Sequence, residues 1–281
     1  MKTEETGYFN LWVSYALAVL VALTSVAGLF WAPTYAQETP LWAAQGMGGD
    51  AVNLVLVVPV LLVSAMQAHR GSVPARLVWI GSLFYLLYNF VIYTLAVHFN
   101  ALFLVYCVVL SLSFYAVLGN LPSLPVAEIA QSYGQRAPVK SVALVFFMLA
   151  SVTAAGWLHE IIPALLSGRA PQSVRDVGLP TSPVHVLDLS LLLPGLVITA
   201  IMLLRRKAVA FVLAPVLTAF LMLMSVELAG IMVAMAWKGF PTNFVIAAFF
   251  VLLAVGFAVL LWSYFRSERG HLGTSVPRTT H

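Results

Sequence analysis

The sequence predicts an all-α bundle of eight transmembrane helices, and three observations carry that prediction. Hydrophobic residues make up 62% of the 281 and charged residues only 9%, against about 25% charged in an ordinary soluble domain. So few polar side chains cannot cover a water-soluble core of this size. The apolar residues also gather into eight runs close to the roughly 20 residues needed to cross a bilayer core of about 30 Å. Finally, the basic residues collect at one end of those runs as the chain passes back and forth.

The runs are approximately 11–32, 51–69, 77–97, 101–119, 141–166, 187–204, 208–237 and 244–265. The first follows "MKTEETGYFN", which is not basic, and its apolar stretch is too long for a usual signal-peptide core. It reads as an uncleaved helix, despite the small residues of "PTYAQE" just after it. The third and fourth runs are separated only by "HFN" (98–100). Both termini then fall on one side. Placing them in the cytoplasm puts Lys2, Arg70, Arg76, Arg136, Lys140, Arg205, Arg206, Lys207, Arg266, Arg269 and Arg278 inside and leaves Arg169, Arg175 and Lys238 outside. Eleven against three is a strong positive-inside bias. The net charge of +4 is thus an orientation signal rather than a nucleic-acid patch. A single cysteine, Cys107, excludes an intramolecular disulfide. Residues 1–265 form one membrane domain, 120–140 read as a polar, Pro-rich connector, and 266–281 as a disordered cytoplasmic tail.

An internal repeat is suggested by "NLVLVVPVLLVSAMQAHR" (53–70) and "DLSLLLPGLVITAIMLLRR" (188–206). In each, a polar residue at the outer end is followed six residues later by Pro and eleven after that by Arg, at an offset of 135. Residues 11–119 and 141–265 would then be two parallel repeats about an axis along the membrane normal. Leucine-rich helices also align by chance, and that alternative stands beside it.

The polar residues of the spans share a level. At 1.5 Å per residue from each basic anchor, Asp50 and Asn53 lie roughly 25–30 Å up, as do His159, Glu160, Asp188 and Glu227, with His98 slightly higher. Asp50 and Asp188 stand at the outer ends of their runs, where capping of free N–H groups is an ordinary explanation. His98 reads as an interfacial residue. Glu227 differs: largely apolar residues continue beyond it to Trp237, and an intramembrane acid is a candidate functional group. The His159–Glu160 pair is balanced between an interior site and a structural pair. Met222, Met224, Met232 and Met235 flank Glu227 as packing residues. Tyr85, Tyr88, Asn89 and Tyr93 share a helical face, where they line a pathway or tie helices together. Pro59, Pro194 and Pro215 interrupt mid-span hydrogen bonding.

Several known chemistries are excluded. "HEIIP" (159–163) has Pro163 where a zinc-protease helix needs its second histidine. "GMGGD" (46–50) lacks the first glycine of the intramembrane aspartyl-protease element, and no late span carries the lysine of a retinal protein. Phosphate-binding, dinucleotide-binding and serine-nucleophile motifs are missing. No metal site and no cofactor can be named from these residues.

The stretches "GGDAVNLVLVVPVLL", "RGSVPARLVWIGSLFYLLYNF", "FNALFLVYCVVLSLSFYAV" and "PVHVLDLSLLLPGL" resemble a family of bacterial multi-pass membrane proteins with no assigned activity. The resemblance covers roughly 48–118 and 180–215 and implies a bacterial plasma membrane. The residues themselves point first to a polar site open toward the outer face that binds or transports a small cation, proton or polar solute. Glu227, Asp188, Asp50, Asn53, His159, Glu160 and Tyr93 are its candidate residues. The alternatives are a non-catalytic subunit or sensor, packing against a partner membrane protein or a second copy through small residues such as "AVGFAV" (254–259), and an enzyme acting on a lipid-linked substrate with His159 and Glu160 as acid–base groups.

Overall fold

Apolar runs in hydrocarbon satisfy their backbone by becoming helices. The computed structural model describes residues 2–134 and 137–266 and has eight helices long and apolar enough to cross a membrane. The chain is a multi-pass membrane protein of the all-α class. Its first span lies in α1 (Lys2–Phe30), followed by a 3₁₀ turn (Ala32–Tyr35). The second is composite: α2 (Pro40–Val52), a π-helical turn (Asn53–Val57) and α3 (Val58–His69). Next come α4 (Val73–Ala96) and α5 (Phe103–Asn120). A short α6 (Val126–Tyr133) leads to α7 (Val139–Ser167). After α8 (Gln172–Asp176), the sixth span runs through α9 (Pro183–Leu187), a second π turn (Asp188–Leu192) and α10 (Leu193–Leu204). Spans seven and eight are α11 (Ala210–Trp237) and α12 (Phe244–Arg266). The tail 267–281 and Arg136 lie outside the described residues.

Two helices form the centre. The apolar stretch of α4 is 61% buried and that of α11 50%, against 22–39% in the other six spans. α4 buries Ser82, Tyr85, Tyr88, Asn89 and Tyr93, α11 buries Thr218, Ser225 and Glu227, and the two helices pack on each other. Their contact is close because Gly81 has no side chain: a Cβ there would stand 2.7 Å from both the Val216 carbonyl oxygen and Ala219 Cβ. α2 lies against α11 in the same way. A Cβ on Gly48 would meet Ile231 Cα at 2.5 Å, and one on Gly230 would meet Val52 Cγ2 at 2.4 Å. Small residues let membrane helices approach until dispersion holds them. The peripheral helices turn large apolar side chains outward, among them Val55, Leu104, Leu166 and Val245; their solvent is the lipid bilayer.

At the basic end, side chains tie the spans together. Asn10 and Asn120 exchange amide hydrogen bonds at 2.6 and 3.0 Å. Arg76 donates to Ser123 at 2.7 Å, and Arg206 donates to the Gly134 carbonyl. The 120–140 segment, expected to be a plain connector, contains α6. Val126, Ile129 and Tyr133 fall on one helical face, and Ile129 and Tyr133 are buried, the Tyr133 ring 5.3 Å from that of Tyr264.

Two expectations are corrected. The second span begins at Pro40, not near residue 51, because the Gly- and Asp-containing stretch before Asn53 is helix buried against α11 rather than loop. Neither aspartate is a cap. Thr39 caps α2 and accepts from the Trp42 N–H, Ser182 caps α9 and accepts from the His185 N–H, and Asp50 and Asp188 lie inside their composite helices.

The two π turns have a common cause. Pro59 and Pro194 cannot donate, and their rings crowd the carbonyl four residues back. The turn just upstream widens, so that Val58 N–H bonds the Asn53 carbonyl and Leu193 N–H the Asp188 carbonyl. The correspondence continues to the basic end. α3 and α10 have the same bounds at an offset of 135, and the left-handed residues that follow, Gly71 (φ 90°) and Arg206 (φ 52°), obey the same offset. Gly71 has no atom near its would-be Cβ, so its role is conformational. Gly71→Ala should cost about 1–2 kcal/mol through the left-handed backbone alone, read as a lower unfolding midpoint in detergent with an unchanged oligomeric profile.

Candidate functional site

At the end of the bundle away from the basic residues, α2, α4, α7, α9, α11 and α12 enclose a cavity of about 500 Å³. Glu227 lies along it and is 5% exposed. Its Oε2 accepts from Asn89 Nδ2 at 3.0 Å. Its Oε1 lies over Gly49, where a Cβ would come within 3.0 Å. Glycine at 49 therefore makes room for the carboxylate between α2 and α11.

Asp50 is behind this wall and 1% exposed. Tyr35 donates to Oδ2 at 2.5 Å and Tyr93 to Oδ1 at 2.9 Å. A Cβ on Gly28 would overlap Oδ2, so α1 closes the remaining side. Tyr35 comes from the 3₁₀ turn between spans. Burial, and next the adjacent Asp50, push its phenol well above the usual range, so it keeps its proton and remains a donor at any physiological pH. One helical turn beyond Asp50, Asn53 is fully buried, with Oδ1 accepting from the Tyr85 hydroxyl at 2.9 Å and Nδ2 without a partner.

Asp188 has an equivalent enclosure. Tyr88 donates to Oδ1 and Trp157 Nε1 to Oδ2, both at 2.9 Å. One turn earlier His185 lines the cavity, its ring 4.5 Å from that of Trp157. His185 Nε2 is 3.9 Å from Glu160 Oε2, while Glu160 Oε1 accepts from the Ser173 N–H at 2.9 Å. Glu160 thus straps α8 to α7 at the rim. On the opposite rim Glu38 accepts from the His98 N–H at 2.6 Å and lies 2.9 Å from its Nδ1. Trp42 Nε1 donates to the Ala96 carbonyl at 2.9 Å nearby.

Of the residues singled out from sequence, the structure gathers Glu227, Asp50, Asn53 and Tyr93 into one connected polar core between α2, α4 and α11. Asp188 sits in a second node, joined to the first by the neighbouring α4 residues Tyr88 and Asn89. Glu160 is at the rim. His159 is exposed on the outside of α7 and does not line the cavity, because the helix turns it about 100° away from Glu160. The two are not presented as an acid–base pair to a common substrate. Tyr35 was hidden in a segment that resembles a cleavage site. His185 could have been found as the residue 135 after Asp50.

Among the described residues no Lys or Arg forms an ion pair with Glu227, Asp50 or Asp188, and no group of three or more His, Cys, Asp and Glu is placed to hold a metal ion. The oxygens of Asp50 and Asp188 are all taken by donors, whereas the carboxylate of Glu227 borders open space. Glu227 can therefore offer the cavity an acceptor for a positive or hydrogen-bonding group. No family model matches the chain, and no curated protein or solved structure is detectably similar to it; the resemblance noted in the sequence brings no activity with it.

Tyr93→Phe and Tyr35→Phe each leave a buried Asp50 oxygen without its donor. Each should cost about 1–3 kcal/mol, and the double variant less than the sum because both act on one carboxylate. Unfolding midpoints of the three variants in detergent check this; unchanged midpoints would mean that Asp50 is solvated from elsewhere.

Proposed function

We propose that this protein binds a small positively charged or strongly hydrogen-bonding solute from the outer side of the plasma membrane, as the capture step of its transport. The observation that carries the reading is Glu227: a buried carboxylate beside a cavity of about 500 Å³, with no basic partner among the described residues. An acid so placed needs a counter-charge or a proton from outside the chain. The positive-inside bias supports the orientation, with the cavity outward and both termini cytoplasmic. The residues lining the cavity belong to the half of each span away from the basic end, which supports capture from the outer side. Passage inward would require the spans to move.

The correspondences at the 135-residue offset support a further part of the reading: the halves 11–119 and 141–265 are parallel repeats. Gly81 and Val216, which stand 135 apart, touch each other. A residue meets its own counterpart only on a two-fold axis, so the axis would pass between α4 and α11. Rocking of one half against the other about such an axis is a known route to alternating access.

Orientation is checked by reporter fusions: one after Gly270 should report the cytoplasm and one within 170–182 the opposite compartment. A periplasmic signal at Gly270 would reverse the proposed direction of binding. The site is checked by thermal stabilisation of the purified protein against a panel of inorganic cations, amines and neutral polar solutes. At 100 times its Kd a true ligand adds about 2.7 kcal/mol of stability. That increment should vanish in Glu227→Gln while the unliganded midpoint is kept or raised. No stabilising solute, or equal stabilisation of Glu227→Gln, would remove the proposed site.

A further inference from the structure

We infer that the ligand of this cavity is an organic ammonium ion carrying an apolar body. The inference rests on the binding function proposed above and specifies the substrate class. Among the described residues the formal negative charges of the lining are Glu227 and Asp176, and no Lys or Arg belongs to it, so the cavity favours a cation. The rest of the wall is wrong for a bare metal ion, which requires several oxygen ligands at close range. Glu227 is instead surrounded by apolar and aromatic groups. Rings of Tyr35, Trp42, Tyr88, Tyr93, Trp157 and Phe250 line the cavity, and aromatic faces attract alkylated ammonium groups. Above Glu227, one helical face of α11 presents Leu228, Ile231, Met232 and Met235, a surface that gains from burying hydrocarbon and offers a sugar or other polyol few hydrogen bonds.

The volume, about 500 Å³, suits an organic molecule rather than a single ion. The geometry assigns the two ends of the ligand. The ammonium group lies between Glu227 and the tyrosines of α4. The apolar body extends along α11 toward Ile246 of α12, which lines the cavity and is 43% exposed. The ligand can therefore arrive from water or sideways from the outer leaflet.

The test uses the full chain in lipid nanodiscs and calorimetric titration with tetramethylammonium, a series of n-alkyltrimethylammonium ions from ethyl to hexyl, benzyltrimethylammonium, potassium and benzenesulfonate. Affinity should rise about three- to fourfold per added methylene, and the benzyl ion should bind at least tenfold more tightly than tetramethylammonium. Potassium and benzenesulfonate should give no saturable signal. Glu227→Gln should weaken every ammonium ion at least tenfold. Met235→Lys, which opposes a cation near the rim while leaving the carboxylate intact, should do the same and serves where Glu227→Gln fails to fold. For a ligand taken from water, saturation follows the free aqueous concentration at any lipid content; for one taken from the leaflet, it follows the mole fraction in lipid. Glu227-dependent binding that is flat along the alkyl series, or shared by potassium, overturns the substrate class and leaves the binding function standing. Ammonium binding that is indifferent to both variants overturns the two together.

Discussion

Hydrocarbon supplies neither hydrogen bonds nor counter-ions, so each carboxylate placed within it must be met by the protein's own donors. That requirement organises this bundle. Asp50 is met by two tyrosine hydroxyls, Asp188 by a tyrosine hydroxyl and an indole, and Glu227 by the Asn89 amide. Three of these five donors, Tyr88, Asn89 and Tyr93, lie on α4. A helix that serves three acids on three neighbours has to be central, and α4 is the most buried of the spans. The acids differ in their surroundings: Asp50 and Asp188 have a donor on each oxygen away from the cavity, whereas Glu227 borders it.

Reaching those partners demands short distances between helix axes. The glycines at 28, 48, 49, 81 and 230 stand where backbones or carboxylates would otherwise collide with a methyl group. Dispersion between close backbones then holds α2, α4 and α11 together without any hydrophobic drive, which lipid does not provide. Larger side chains fill the basic half of the bundle, where Leu77, Ile80 and Leu83 are fully buried, and leave the other half open. The polar core thus has a closed floor and an open top.

Much of this was legible in the sequence. Eight spans follow from run length and hydropathy, because lipid permits few alternatives. The common level of Asp50, Asp188 and Glu227 follows from counting residues from the basic anchors, since helical rise is constant. Facing was less legible. His159 and Glu160 are adjacent in sequence but point differently, and only packing decides which of them meets His185. The setting of Asp50 stayed open between a cap and a site residue because a carboxylate at the apparent end of an apolar run looks the same whether it caps a helix or sits inside a longer one. Gly46, Gly48 and Gly49 fall before the apolar run read from the sequence, yet they are part of a membrane helix and mark its close approaches to Tyr35, Ile231 and Glu227. Tyr35 was invisible for a different reason: its partner Asp50 is brought to it by a turn whose shape depends on contacts with residues 96–100.

The π turns carry one consequence of a different kind. A π turn amounts to one residue more than an α-helix would use, so everything upstream of it is rotated by about 100° relative to everything downstream. In the second and sixth spans the lower half can therefore show apolar side chains to its neighbours while the upper half, out of phase, turns the position three residues before the π turn toward the interior. Asp50 occupies that position in one span and His185 in the other. The backbone dictates where a functional group points, and the identity of that group is left free: an acid in one half, an imidazole in the other. A bundle built this way can vary the polar group at two equivalent positions without altering the path of a single helix.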